Sequence, residues 1–134
     1  MFTNSNAGFY VAIQRANTGA TLEHSTRAST FITDKSPWTG SGGTNLWSGY
    51  GLGFRVNQTN TDSALYLSSR WGASDTVGNA LYTGVPASYT SFLATSAFSS
   101  STRNIEVGWK VVIPPTQVSG TYQGIVTFRV FNDI

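Results

Sequence analysis

The sequence contains no cysteine, which excludes a disulfide framework, a cysteine-ligated zinc site and a thiol nucleophile. Charged residues are also scarce, at 10% of the 134 residues against a usual ~25%. The 8 Lys and Arg against 6 Asp and Glu leave a formal net charge of only +2. A surface with so few cations has no basic patch to neutralise phosphates, so we expect no nucleic-acid partner.

Long apolar runs and a targeting signal are missing as well. No stretch of 18 apolar residues occurs, so we expect no membrane insertion. Residues 1–4 lack the basic and apolar regions of a signal peptide, and we expect a soluble, mature or excised chain.

The sequence also lacks the apolar periodicity of an amphipathic helix. No window of 11 or more residues repeats apolar side chains at helical spacing over good helix formers. The chain has instead 17 serine and 18 threonine residues, with 40% hydrophobic and 13% aromatic residues. This composition favours an all-β protein with a core and argues against disorder. The length predicts a single domain over residues 1–134.

The clearest strand pattern covers residues 103–113, where apolar and polar side chains alternate. Trp109 stands in the middle of this alternation, so we predict that it is a central core residue. Two prolines, Pro114 and Pro115, end the strand, because neither donates a backbone hydrogen bond. A second strand is predicted over residues 121–131, and apolar residues on both of its faces predict a central or covered position.

Further strands are predicted from shorter patterns over residues 9–14, 20–32, 50–56 and 64–67, with brief pieces near 81–82 and 89–93 and a long loop over 33–48. Gly49, Gly51 and Gly53 share one face of the strand over 50–56, and a bare glycine face lets another group pack directly on the backbone. Seven or so short strands predict a two-sheet antiparallel β-sandwich of immunoglobulin-like type. The residues expected between the sheets are Phe54, Trp109, Val111, Tyr122, Val126, Phe128 and Val130.

Residues for catalysis or metal binding are few. The sequence has one histidine, His24, but no Gly-x-Ser-x-Gly motif to supply the serine of a catalytic triad. The six carboxylates show no recognisable spacing for the pair that a glycosidase uses. The nearest approach to an oxygen-ligand set is Asn57, Asn60 and Asp62, which lack the glycine and terminal glutamate of a calcium loop. We therefore predict no enzyme activity, no cofactor and no metal.

The tryptophans are the best candidates for ligand binding. Trp38 and Trp47 lie in a loop rich in glycine and serine, and Trp71 lies in another turn region. Indole rings exposed on a β-sandwich are suited to stacking against sugars. Tryptophan more often fills the end of a sandwich core, so a glycan platform is the alternative to a core role.

Sheet edges offer a second way to bind. An uncharged, threonine-rich edge strand is a template for pairing with another chain. Residues 1–8 have a weak pattern, and we expect them to be loosely attached or docked along the sheet edge of a neighbouring subunit.

The segment Trp-Lys-Val-Val-Ile-Pro-Pro-Thr-Gln-Val-Ser-Gly-Thr-Tyr-Gln-Gly-Ile-Val-Thr-Phe over residues 109–128 resembles the last hairpin of Ig-like domains in bacterial and archaeal surface proteins, including WxL-type and pilin-like domains. The Trp-Ser-Gly-Tyr-Gly-Leu-Gly-Phe segment over residues 47–54 is similar to a glycine-aromatic segment of the same domains. In that family a Gly-Thr-Tyr step opens the final strand, and the resemblance implies a tyrosine-corner role for Tyr122. It also implies an extracellular module without catalytic residues.

These observations predict a non-enzymatic structural or adhesion module of an extracellular cell surface or filament. Its expected partners are other protein subunits or cell-envelope components, bound by sheet-edge pairing. The alternative is a carbohydrate-binding module that uses the loop tryptophans, and an enzyme ranks third. A structural module is expected to bury Trp38, Trp47 and Trp71, whereas a sugar binder is expected to expose two of them in one plane.

Overall fold

The computed structural model describes residues 8–37, 44–95 and 101–132. The elements in chain order are β1 (Phe9–Arg15), β2 (Leu22–His24), β3 (Phe31–Ile32), β4 (Asn45–Leu46), β5 (Gly51–Asn57), α1 (Ser68–Trp71), β6 (Leu81–Tyr82), β7 (Thr90–Thr95), β8 (Glu106–Val112), β9 (Tyr122–Gln123) and β10 (Val126–Asn132). All the strand pairs formed by these elements are antiparallel. The predicted all-β antiparallel sandwich is confirmed.

Two sheets enclose the core. The first has the order β10-β1-β7, so β1 is its central strand. The second pairs β5 with β8, and the other flank of β5 is covered by hydrogen bonds between Phe54 and Thr83 and by a parallel bridge between Leu52 and Asp34. Two smaller sheets, β3-β2-β9 and β4-β6, complete the fold.

The core forms where β5 faces β7. The Phe54 ring meets the Phe92 ring edge to face at 5.6 Å between centroids, and Trp71 of α1 packs on Phe54 at 5.9 Å. Aromatic pairs at this spacing add to the stability gained from burying their area. The buried cluster consists of Val11, Ile13, Phe54, Val56, Leu65, Trp71, Val85, Phe92 and Leu93.

One side of the sandwich is closed by the chain itself. Thr83 bonds to β5 in the second sheet, and Pro86 then accepts a hydrogen bond from the backbone of Arg15 in the first sheet. The chain continues into β7, which pairs with β1. Residues 83–90 therefore cross from one sheet to the other, so β6 and β7 lie on this closed side. In the second sheet β8 lies on the flank of β5 away from this closed side, and in the first sheet β10 lies on the flank of β1 away from it, so both edge strands are on the other side of the sandwich.

Three predicted strands differ from the observed ones. The strand predicted over residues 20–32 is divided into β2 and β3 by a turn, and the loop predicted over residues 33–48 contains the short strand β4. The strand predicted over residues 121–131 is divided into β9 and β10, because the chain changes partner from β2 to β1 between them. Gly124 permits this step, since a Cβ there would lie 1.7 Å from the Thr21 carbonyl oxygen. The strand predicted over residues 64–67 is a turn, in which the backbone amides of Leu65 and Tyr66 donate to the carbonyl of Asp62 before α1 begins.

Candidate functional site

The inward face of β8 is exposed although it is apolar. Phe54 lies opposite Trp109 in the β5-β8 register, so the two side chains share the inward face. Phe54 is fully buried, yet Trp109 is 45% exposed. The prediction that Trp109 is a central core residue is wrong: β8 is an edge strand, and Trp109 meets the core from its margin, with its ring 5.6 Å from the Phe54 ring.

The inward face of β10 is exposed in the same way. Val130 lies opposite the buried Val11 and Phe128 opposite the buried Ile13, so both point toward the core side of the first sheet. Val130 is nevertheless 68% exposed and Phe128 is 43% exposed, with its ring 5.9 Å from the Phe92 ring. The predicted central or covered position of this strand is wrong, because β10 is the edge of its sheet.

We call this uncovered side of the sandwich the open seam. Its exposed side chains share a position on the inward face or at the end of an edge strand: Trp109, Val111, Ile113, Phe128 and Val130. At their exposed fractions these five side chains present on the order of 400 Å² of apolar surface in total, divided between the two edge strands. Among the described residues, none covers this surface. Four of the seven residues expected between the sheets thus lie in the open seam.

The three candidate tryptophans do not form one surface. Trp38 lies outside the described residues. Trp71 is 1% exposed and belongs to the core, so it is not available to a ligand. Trp47 is half-buried on the outer face of the second sheet. Of the two described candidates, Trp47 alone keeps a surface that a ligand can reach.

Trp47 forms an aromatic ridge with Tyr82, which it meets edge to face at 5.3 Å between centroids. The Lys35 ammonium nitrogen lies 4.6 Å from the Trp47 ring centroid, and the Lys110 ammonium nitrogen lies 5.1 Å from it. Lys110 also lies 5.7 Å from the Tyr82 ring centroid. Cations at these distances are attracted to the ring faces.

The glycine face of β5 explains how this ridge forms. A Cβ on Gly53 would lie 2.9 Å from Trp47 Cζ3 and 3.3 Å from Lys35 Cγ, so the glycine leaves room for both side chains. Trp47 and the stem of Lys35 therefore pack directly on the strand backbone. This confirms the prediction that another group packs on the bare glycine face.

Beneath the ridge, buried Arg55 is neutralised by Asp75. The Arg55 guanidinium bonds to the Asp75 carboxylate and donates to the Trp71 carbonyl oxygen at 2.7 Å. Burial alone would raise the pKa of Asp75, but hydrogen bonds from Arg55, Gln58 and Thr59 outweigh it and hold the pKa well below its ordinary value. The carboxylate thus stays ionised, and this pair adds no net charge to the ridge.

Both ring nitrogens of His24 make hydrogen bonds to the backbone. Its Nδ1 accepts a hydrogen bond from the Thr26 backbone amide at 3.2 Å, which leaves Nε2 to donate to the Ser119 carbonyl oxygen at 3.1 Å. The ring also meets Tyr122 edge to face at 5.2 Å. Both ring nitrogens are therefore used to join β2 to the loop before β9.

Tyr122 bonds the backbone as the tyrosine-corner role requires. Its hydroxyl donates to the Val118 carbonyl oxygen at 2.7 Å and accepts from the Gln117 side-chain amide at 2.7 Å. Val118 belongs to the loop over residues 114–120, so the hydroxyl makes the backbone contact that the implied tyrosine-corner role calls for. The side chain is half-buried, however, and not fully buried.

Polar residues at the end of β5 and in the turn after it hold the neighbouring segment that begins β8. The side-chain amides of Asn57 and Asn60 both donate to the Glu106 carboxylate, and Asp62 accepts from the Asn104 backbone amide at 3.2 Å. Within the described ranges, no group of three or more His, Cys, Asp or Glu is placed to hold a metal ion. The same ranges contain no helix of sufficient length and apolarity to cross a membrane.

Sequence reasoning missed the lysines of the ridge. Lys35 falls in the loop predicted over residues 33–48 and Lys110 in the strand predicted over residues 103–113, and nothing in either local pattern links the two. The one available signal was the glycine face of β5, which predicted a packed group without identifying it. Comparison of the chain with family models, with curated proteins and with solved structures finds no match.

Proposed function

We propose that the protein is a non-enzymatic structural or adhesion module of an extracellular surface or filament, which associates through its open seam. One observation carries this proposal. Two edge strands expose apolar side chains that their own registers direct toward the core. The resemblance of residues 109–128 to the last hairpin of surface-protein domains supports the extracellular assignment.

The partner we propose for the open seam is a second copy of the same chain. A second copy offers the same two edge strands, and two equal patches related by a two-fold axis are self-complementary. The low charge of the chain, with a formal net charge of +2, gives little repulsion between copies. Pairing of the edge strands would also satisfy backbone groups that an edge leaves open.

The test is to place a charge in the open seam. In Val130→Asp a carboxylate replaces an apolar side chain at the proposed contact, whereas Val77→Asp makes the same change at a position that is 95% exposed and outside the seam. Both variants should keep the melting temperature of the monomer, because neither side chain contributes much to the core. Sedimentation velocity over a range of concentrations measures association.

We expect the unchanged protein and Val77→Asp to associate as concentration rises, and Val130→Asp to stay monomeric. Association of Val130→Asp at the same concentrations as Val77→Asp would exclude the seam as the contact. A monomeric unchanged protein at every concentration would exclude a second copy as the partner.

A further inference from the structure

The chain has just two lysines, Lys35 and Lys110, and both converge on Trp47. They come from distant parts of the sequence, one after β3 and the other in β8. The ion pairs within the described ranges are all made by arginines, so no carboxylate there neutralises either lysine. The ridge therefore carries two positive charges on a chain that has few charges of any kind.

These side chains are held in place before any ligand binds. The Trp47 indole nitrogen donates to the Gly49 carbonyl oxygen at 3.1 Å, and the Lys35 ammonium donates to the Ser48 carbonyl oxygen. The aromatic rings hold both ammonium groups by cation–π attraction. Because the side chains are already ordered, a ligand that binds them pays less conformational entropy.

The ridge separates two clefts. The larger, of about 650 Å³, has Lys35 in its wall. The smaller, of about 210 Å³, has Lys110 and also Asp75, whose carboxylate is neutralised by its ion pair with Arg55. Trp47, Tyr82 and Leu46 line both clefts, so an apolar strip runs between the two charges. Neutral polar residues complete the larger cleft: Ser36, Thr44, Asn45 and Ser48.

We propose that this ridge binds an acidic saccharide with carboxylates on neighbouring sugar units. Sugar C–H groups would pack against the apolar strip, and hydroxyls would bond to the neutral polar residues of the larger cleft. A carboxylate on each side of the ridge would accept charge-assisted hydrogen bonds from Lys35 and Lys110. The ridge lies on the outer face of the second sheet, apart from the open seam, so the proposal does not depend on self-association.

A saccharide suits the ridge better than an acidic peptide does. A peptide in extended form would add to a sheet edge through its backbone. The ridge instead offers aromatic and hydroxyl groups from side chains, with the backbone of β5 already paired to β8 on one flank and to Thr83 on the other.

The experiment is calorimetric titration of the full chain with an oligogalacturonate of three to five units. Its methyl ester has the same sugar backbone without the charges, and oligoglutamate and inorganic phosphate supply the charges without the sugar. The variants are Lys110→Met and Lys35→Met, each of which keeps much of the side-chain length. Arg27→Met is the matched control, because it removes one charge from an exposed position away from the ridge.

We expect the oligogalacturonate to bind at least about tenfold more tightly than its methyl ester, oligoglutamate or phosphate, the factor typical of one lost charge-assisted hydrogen bond. Each lysine variant should lose about tenfold, whereas Arg27→Met should bind as the unchanged protein does. Equal binding of the ester would overturn the role of the carboxylates, and equal binding of oligoglutamate or phosphate would overturn the saccharide. Equal losses in Arg27→Met and the lysine variants would overturn the site.

Because the chain has two lysines, NMR can test directly whether the saccharide binds next to Lys35 and Lys110. Reductive methylation with ¹³C labels both lysines and keeps their charge, so the NMR spectrum should contain two side-chain signals. Both should be shifted by the Trp47 ring current and should move when oligogalacturonate is added. If neither signal moves while the saccharide binds, the ligand lies elsewhere and the proposal is wrong.

Discussion

Replacing Trp109 by alanine tests the position of β8 at the edge of the sandwich. A fully buried tryptophan removes about 200 Å² from water, which at ~25 cal/mol per Å² is worth about 5 kcal/mol. Trp109 is 45% exposed, so about half of that gain applies, and we expect Trp109→Ala to lower the free energy of unfolding by about 2–3 kcal/mol. Trp71 is 1% exposed, and Trp71→Ala should cost about 4–5 kcal/mol.

Urea denaturation followed by far-UV circular dichroism measures both losses at low protein concentration. A Trp109→Ala midpoint as low as that of Trp71→Ala would show that the indole is buried and that the edge assignment of β8 is incorrect. Repeating the series at high concentration links this prediction to self-association. If a second copy covers Trp109, the loss caused by Trp109→Ala should grow with protein concentration, because association stabilises the folded chain by mass action.

Three further predictions concern hydrogen bonds and pH. Tyr122→Phe removes the hydrogen bond to Val118 and should lower the free energy of unfolding by about 1 kcal/mol; unchanged denaturation midpoints would contradict this. The lowered pKa of Asp75 stabilises the folded chain above the ordinary carboxyl pKa of about 4, and this contribution is lost as the pH falls. The advantage of the unchanged protein over Asp75→Asn in urea melts should therefore shrink from pH 6 to pH 3, and a constant difference would refute the assignment. Burial is the largest effect on Asp34 and raises its pKa. Protonated Asp34 therefore stabilises the folded chain fully at low pH, and this stabilisation is lost as the pH rises through the folded-state pKa. Relative to Asp34→Asn, the unchanged protein should be more stable at pH 3 than at pH 7; the opposite trend would refute it.

The sequence predicts which side chains share a face but does not predict what covers that face. The alternation around Trp109 correctly places it beside Phe54 on the inward side of its sheet. Whether that side is buried depends on where β8 and β10 lie in their sheets, which is settled by contacts between distant parts of the chain. Periodicity alone therefore made an edge strand look like a central one.

The candidate site could be predicted only in part for the same reason. The Gly51 and Gly53 face predicted close packing on β5, because an alternating glycine pattern has an unambiguous steric consequence. The convergence of Lys35 and Lys110 on Trp47 depends on the register of β5 with β8 and on the path of the loop before β5. Neither is encoded in a local pattern, so composition showed two lysines without showing that they meet.

The pairing of β1 with β10 has a mechanical consequence. Phe9 at the start of β1 lies opposite Asn132 at the end of β10, so the chain enters and leaves the first sheet at the same end of one antiparallel pair. Tension applied through the flanking residues would act across this ladder and break its hydrogen bonds one at a time, as in opening a zip, instead of shearing them together. Each step of such opening loads a single pair of strand residues, and a strand held against the outer edge of β10 would add a second row of bonds but would not change the direction of opening.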